Sequence, residues 1–191
     1  MKEIVIVGAG GTGRELLQWI KDYNIANPNV AYYIKGFIDD NPNALDSYEC
    51  EYRIIGSIKD CIPAHSEVFA CGMYSPKDKE RIVDLLKSRG AYFESIIHPT
   101  AVICDNSYIG EGFVAYPNSY ISVNVSIKNF VTIMSTAIGY DVEIGNYSTV
   151  CSDCGISAKT KLGERVFVGN NAVILSKRKI GDDCFIRREY P

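Results

Sequence analysis

A short glycine-rich segment near the start of the chain has the residue types and spacing to hold a phosphate. Ile4–Val7 runs directly into Gly8-Ala9-Gly10-Gly11-Thr12-Gly13, a G-x-G-x-x-G arrangement that follows an apolar run and precedes a helical pattern. In that setting bare backbone N–H groups and a helix N-terminus can receive a phosphate or diphosphate. Asp39 lies 26 residues after Gly13, at the end of the next apolar run, where a carboxylate can accept bonds from a ribose hydroxyl. A tight strand-to-helix turn with no ligand uses the same residues, and the motif alone leaves both readings open. Other reactive side chains are sparse. Cys151 and Cys154 make a C-x-x-C pair, but no second pair is near and the only histidines are His65 and His98, so no metal site is expected. Lys177-Arg178-Lys179 can meet a phosphate or can simply be a solvated corner.

The elements that carry these residues alternate. Glu3–Val7 reads as a strand, and Arg14–Tyr23 as a helix with Leu16, Leu17 and Ile20 on one side. Tyr32–Ile38 is a second strand, ended by Asp39-Asp40-Asn41-Pro42, and Glu67–Cys71 a third. Ser75, Pro76 and Asp78 start a second helix that runs through Ile82, Leu85 and Leu86 to Gly90. Tyr92–Ile97 reads as a last strand. Residues 1–97 are therefore expected to form an α/β, Rossmann-like domain. It is too short for a full dinucleotide-binding domain, and a single nucleoside-diphosphate ligand suits it better.

The second half repeats. Stepping by six gives Ile103, Ile109, Ala115, Ile121, Ile127 and Ile133, then Ile138, Ile144, Val150, Ile156, Leu162, Val168, Ile174, Ile180 and Ile186. Fourteen of these fifteen are Ile, Leu or Val. Period six fits neither a helix nor an alternating strand; it fits a solenoid that points one aliphatic side chain inward from each short strand. Glycine often follows the ladder residue, as at Gly110, Gly139, Gly145 and Gly163, and is expected to supply the unusual backbone angles of the corners. Small or aliphatic residues stand four places on, Cys154 among them, which gives that cysteine a packing role. The ladder slips once, because Ile133 to Ile138 is five residues, and one corner must absorb the deficit.

Composition narrows the function classes. The chain has 191 residues, is 47% hydrophobic and 23% charged, and carries a formal net charge of -3, so it has no basic footprint for nucleic acid. No apolar stretch approaches the roughly 20 residues that span a bilayer, and no charged-then-apolar leader opens the sequence. Seven scattered cysteines point to reduced thiols and a cytoplasmic setting.

Taken in order, four segments resemble one group of proteins. They are Ile4–Gly13, Gly36-Phe37-Ile38-Asp39-Asp40, Ile97-His98-Pro99-Thr100-Ala101 and the hexapeptide ladder. Together they resemble the two-domain hexapeptide-repeat acyltransferases of the sialic acid and bacillosamine pathways. The resemblance implies a left-handed parallel β-helix of about five coils over residues 98–191, behind a nucleotide-sugar-binding domain at 1–97. It implies acyl transfer, acetyl-CoA being the expected donor, to a nucleotide-linked amino sugar in bacterial surface-glycan biosynthesis. It also implies a uridine-linked acceptor, and a homotrimer whose neighbouring solenoids enclose the donor. Carried over, the nucleotide-sugar site falls on Gly8, Gly10, Gly11, Thr12, Gly13, Asp39 and Asp40.

The reaction centre falls on Ile138-Gly139-Tyr140-Asp141, with Met134, Thr149 and Ala158 in the acyl-CoA and acceptor cleft. The group carries a histidine followed by an acid there; this chain has Tyr140 before Asp141. A second family histidine falls on Thr149, an Asn-Thr pair on Met134-Ser135, and the chain stops at Pro191 before a further strand and tail. A free phenol, with a pKa of about 10, is a poor base at neutral pH, whereas proximity and backbone stabilisation of an oxyanion need no histidine. Transfer to an amine is therefore expected to survive better than transfer to a hydroxyl. A nucleotide-sugar-binding relative without turnover is the alternative. His98 belongs to the motif at the domain junction and reads as structural, and Tyr108, Tyr116 and Tyr120 fall on solenoid faces.

Overall fold

The computed structural model describes residues 2–187, in two compact units. One ends at Ile96; the other begins at Ile97 and includes Ser75–Lys77. In the first unit β1 (Glu3–Val7), β2 (Tyr33–Ile38), β3 (Ile54–Gly56) and β4 (Glu67–Cys71) form a parallel sheet in the order β3-β2-β1-β4. β1 and β4 are buried along almost their whole length, which is why they read as continuous apolar runs rather than alternating ones. Winding reverses at β1, so the crevice beyond the carboxyl ends of β1 and β4 is the place where such sheets receive ligands.

The helix α1 (Gly11–Ala26) buries Leu16, Leu17 and Ile20, and α2 (Pro76–Ser88) buries Ile82, Val83 and Leu86. Two expectations change. β3 is three residues long in a polar segment and carries no periodic signal; its place is decided by pairing with Phe37 and Ile38. Tyr92–Ile97 is not one strand. Phe93 makes a single bridge to Phe69, whereas Ile96–Ile97 is the first strand of the solenoid.

From Ile96–Ile97 to Phe185–Ile186, sixteen two-residue strands form three parallel sheets of 5, 6 and 5 strands, a left-handed parallel β-helix of about five coils. Each of the fifteen ladder residues is the second residue of a strand. Ile121, Ile127, Ile133, Ile144, Val150 and Val168 are fully buried in the axial core, and Cys154 packs there too. Burying an aliphatic side chain of this size contributes roughly 1.5–3 kcal/mol, so the ladder is the main source of stability. Buried hydroxyls next to the corners are satisfied by the following coil: Ser119 donates to Ile133 O, Ser148 to Gly163 O, Thr160 to Leu175 O, and Thr136 to Cys154 O.

The corners do not use the glycines that follow the ladder residues. Left-handed backbone recurs at Asn106, Gly112, Asn118, Asn124 and Phe130, then at Ser135, Asp141, Tyr147, Asp153, Lys159, Arg165, Asn171, Lys177 and Asp183. Seven of the thirteen non-glycine members are Asn or Asp, the types that tolerate this conformation. The others belong to stacked columns. Phe130 lies on Tyr147, ring centroids 5.5 Å apart and planes 7° off parallel, and Arg165 forks onto Asp183 at 3.0 and 3.1 Å. Gly110, Gly139, Gly145 and Gly163, which follow ladder residues, are steric instead. A Cβ at Gly139 would stand 2.7 Å from Ala158 N, and one at Gly145 would stand 2.4 Å from Gly163 C.

The one-residue deficit is confined to Met134-Ser135-Thr136, where Ser135 has the smallest φ of the series, 42°. On either side pairing is regular: Ile133 with Ala115 and Val150, Ile138 with Ile121 and Ile156.

Candidate functional site

The first cluster surrounds the glycine turn. Gly8 leaves β1 with φ 91° and its N–H donates to Ile38 O at 2.9 Å. Gly13 sits in the first turn of α1, where an added Cβ would lie 1.9 Å from Gly8 O. That contact presses the start of the helix onto the end of the strand. Gly10 and Gly11 face open space, with nothing within 4 Å of an added Cβ. The cap residue Gly10 is extended, no side chain caps α1, and no acidic residue lies in its first turn. The bare N–H groups and positive end of the helix therefore face outward, as an anion requires.

Asp39 is tied into the turn rather than standing clear of it. Its Oδ2 accepts from Ala9 N–H at 2.7 Å and its Oδ1 from Asn41 N–H at 2.8 Å. Asp40 accepts from Lys59 N–H at 3.0 Å, which fixes the segment after β3. Both aspartates thus position backbone around the crevice, and a ribose would share Asp39 with these donors. Sequence reasoning missed Arg14 and Tyr48. The guanidinium of Arg14 lies 3.4 Å from the centroid of the Tyr48 ring, beside the glycine turn. A cation at the N-terminal end of a helix, against its dipole, was the signal available.

The second cluster lies on one face of the solenoid. Tyr120, Ser122, Ala137, Ile138, Gly139, Tyr140, Gly155, Ile156 and Ser157 line a depression of about 270 Å³. Tyr140 is half exposed, and Lys159 Nζ lies 6.0 Å from its ring centroid. Asp141 occupies the left-handed corner position, and its Oδ1 accepts from Asn124 Nδ2 at 3.3 Å. Ala158 adjoins this place, since Lys159 N–H donates to Tyr140 O at 2.9 Å. The Cys104 thiol, 3.5 Å from the Tyr120 hydroxyl, pushes that phenol's pKa up, which makes Tyr120 unsuited to act as a base.

Two expected cleft residues are not brought to the depression. Thr149 is fully buried on a different sheet, paired with Thr132 and Phe167. Met134 is half-buried in the shortened corner, at the other end of the Ala137–Ile138 strand from Tyr140. Lys177, Arg178 and Lys179 are all exposed, and Lys177 is the next member after Lys159 of the corner column that contains Asp141. His98 is buried; its Nδ1 accepts from Thr100 N–H at 3.1 Å and lies 2.9 Å from Thr100 Oγ1, a local structural bond. His65 is exposed. Among the described residues no group of three or more His, Cys, Asp or Glu is placed to hold a metal, and no helix is long and apolar enough to cross a membrane.

Residues 3–86 match the family model of the PglD N-terminal domain. Over 177 residues the chain is 25% identical to GDP-perosamine N-acetyltransferase of Escherichia coli O157:H7, covering 88% of this chain and 76% of that protein. In the order of its parts the chain is similar to two-domain hexapeptide-repeat sugar-nucleotide acyltransferases. The fold is shared with WeeI from Acinetobacter baumannii AYE, with a TM-score of 0.78 at 21% identity over 100% of this chain and 94% of the other. It is shared also with PerB from Caulobacter crescentus, solved with CoA and GDP-perosamine, with a TM-score of 0.66 at 14% identity over 97% and 93%. Tyr140 follows the Ala137–Ile138 strand, which pairs regularly on both sides, Ile138 with Ile121 and Ile156.

Proposed function

We propose that the chain is an acyl-CoA-dependent N-acyltransferase, acetyl-CoA being the donor, whose acceptor is a nucleotide-linked amino sugar. The observation that carries this reading is the co-linear similarity to GDP-perosamine N-acetyltransferase across 88% of the chain. Geometry supports each half. The open glycine turn suits a diphosphate. The depression at Tyr140 is lined in part by Ala137, Gly139 and Gly155, whose small side chains leave room for an extended thioester arm. Lys159, Lys177, Arg178 and Lys179 continue from it as a run of exposed cations, fit for the phosphates of coenzyme A.

An amine is the acceptor that this site favours. A neutral amine attacks a thioester and loses its proton afterwards, and in this reading Asp141 orients it. A hydroxyl needs a base in the attacking step, which Tyr140 supplies poorly at neutral pH. For the base, the resemblance favours uridine and the similarity to a GDP-sugar enzyme favours guanosine; binding of UDP against GDP separates them. The assembly is a homotrimer in this reading. Val102, Tyr120 and Val173, outward-facing and exposed on the sheet that carries Ala137–Ile138, supply an apolar strip for a neighbouring copy.

The test is release of coenzyme A from acetyl-CoA with UDP- and GDP-linked 4-amino sugars. Turnover with one of them supports the proposal. A second reading, a nucleotide-sugar-binding relative without turnover, is favoured by the tyrosine at 140. Binding of the nucleotide sugar with no coenzyme A release from any acceptor would establish that reading and defeat the first.

A further inference from the structure

Arg14 is an unusual residue in its place. It is the fourth residue of α1, where the helix dipole disfavours a cation by a few tenths to about 1 kcal/mol. Among the described residues no carboxylate pairs with its guanidinium; what holds it is the face of Tyr48, 3.4 Å from the ring centroid. Stacking on a ring leaves the N–H donors at the rim of the guanidinium available to a further acceptor. Tyr48 in turn belongs to the segment that follows Asp39 and Asp40, and that segment is fastened to α1 a second time. Lys21, two turns beyond Arg14 on the same side of the helix, pairs with Glu51 and lies 5.5 Å from the Tyr52 ring. The segment that carries Tyr48 is thereby fastened to α1 independently of Arg14. The open Gly10-Gly11 turn with its bare N-terminus lies one helical turn before Arg14, whose N–H donates to Gly10 O at 3.0 Å.

We infer that Arg14 is a diphosphate ligand of the nucleotide site, forking onto a phosphate oxygen pair, and that Tyr48 is the positioning residue that holds its plane. This rests on the nucleotide-sugar reading above and names a residue of that site. The fork geometry matches a terminal or bridging phosphate group in a way that a lysine ammonium does not. Arg14 should therefore discriminate nucleoside diphosphates from monophosphates, whereas the glycine turn serves both.

The experiment compares UDP, GDP, UMP and GMP by calorimetry on the wild-type chain and on Arg14→Ala, Arg14→Lys, Tyr48→Phe and Tyr48→Ala, each checked for an unchanged melting temperature. The wild type should prefer the diphosphate of its base. Arg14→Ala should weaken diphosphate binding roughly 10- to 100-fold and leave the monophosphate within about twofold, as loss of a charged hydrogen-bonding pair implies. Arg14→Lys should recover only part, Tyr48→Phe should keep the preference, and Tyr48→Ala should lose part of it. Equal weakening of mono- and diphosphate in Arg14→Ala, or none, overturns the assignment. If no nucleotide binds the wild type, the acceptor reading itself fails and this assignment falls with it.

Discussion

The Ala9 N–H donates to Asp39 Oδ2 at 2.7 Å, a bond across 30 residues that ties the turn after β1 to the end of β2. The same carboxylate holds Asn41 N–H at 2.8 Å. One side chain therefore sets the shape of the crevice from two sides. Asp39→Asn keeps one acceptor and turns an amide donor towards a backbone donor. It should cost about 1–3 kcal/mol and loosen nucleotide binding. Chemical denaturation together with calorimetry checks it; an unchanged midpoint with normal binding would show the bonds to be dispensable.

Glycines of the turn should separate sharply. Gly13→Ala places a Cβ against Gly8 O, where backbone must move, and should destabilise by more than about 3 kcal/mol. Gly10→Ala has open space and should leave the melting temperature nearly unchanged. Equal melting temperatures for the two variants would contradict the close approach of α1 to β1.

Because the deficit in the ladder is absorbed at Ser135, Tyr140 stands on a regular corner, with Ile138 paired on both sides. Tyr140→His should then place an imidazole at the reaction centre and raise coenzyme A release by roughly 10²–10⁴-fold over the parent, the usual contribution of a positioned base. The rate should climb with pH through about 6.5, since the neutral imidazole is the active form. A flat pH profile and an unchanged rate would place the acyl donor elsewhere.

The edge of the first sheet should report pH. Burial pushes the Glu67 carboxyl up, but the Ala64 N–H and Lys35 outweigh it and leave its pKa below the usual value. Lys35, 2.6 Å from Glu67, is held above its ordinary value by that bond, against burial. A lowered carboxylate stabilises the fold above its unfolded pKa and ceases to do so as pH falls through the folded value, below about 4.5. The raised lysine stabilises below about 10.5 and is lost as pH rises beyond it. Glu67→Gln should therefore flatten the acid limb of a melting-temperature profile while leaving the solenoid transition in place. An acid limb as steep as that of the parent would assign it to other carboxylates.

Much of the architecture was legible in the residues. A period of six survives in sequence because each short strand can point only one side chain at the axis, and water enforces that choice at every coil. The glycine turn was legible for a related reason: Gly13 has no space for a Cβ, so the motif records a steric limit. The left-handed corners were half legible through Asn and Asp at the same period. Phe130, Tyr147 and Arg165 hid the rest, because their strain is offset by neighbours 17 or 18 residues away.

What only tertiary structure decided was which groups meet. β3 exists because Phe37 and Ile38 offer it an edge, and nothing in Ile54–Gly56 announces it. Asp39, expected to meet a ribose hydroxyl, also accepts from the Ala9 N–H of the glycine turn. Thr149, nine residues from Tyr140, is carried to another face because six residues turn the chain through one corner of the prism. Arg14 and Tyr48 join across 34 residues through a loop with no pattern of its own. Hydrophobic order is written locally and repeats; polar and charged partners are chosen by distance in space, which no local pattern encodes.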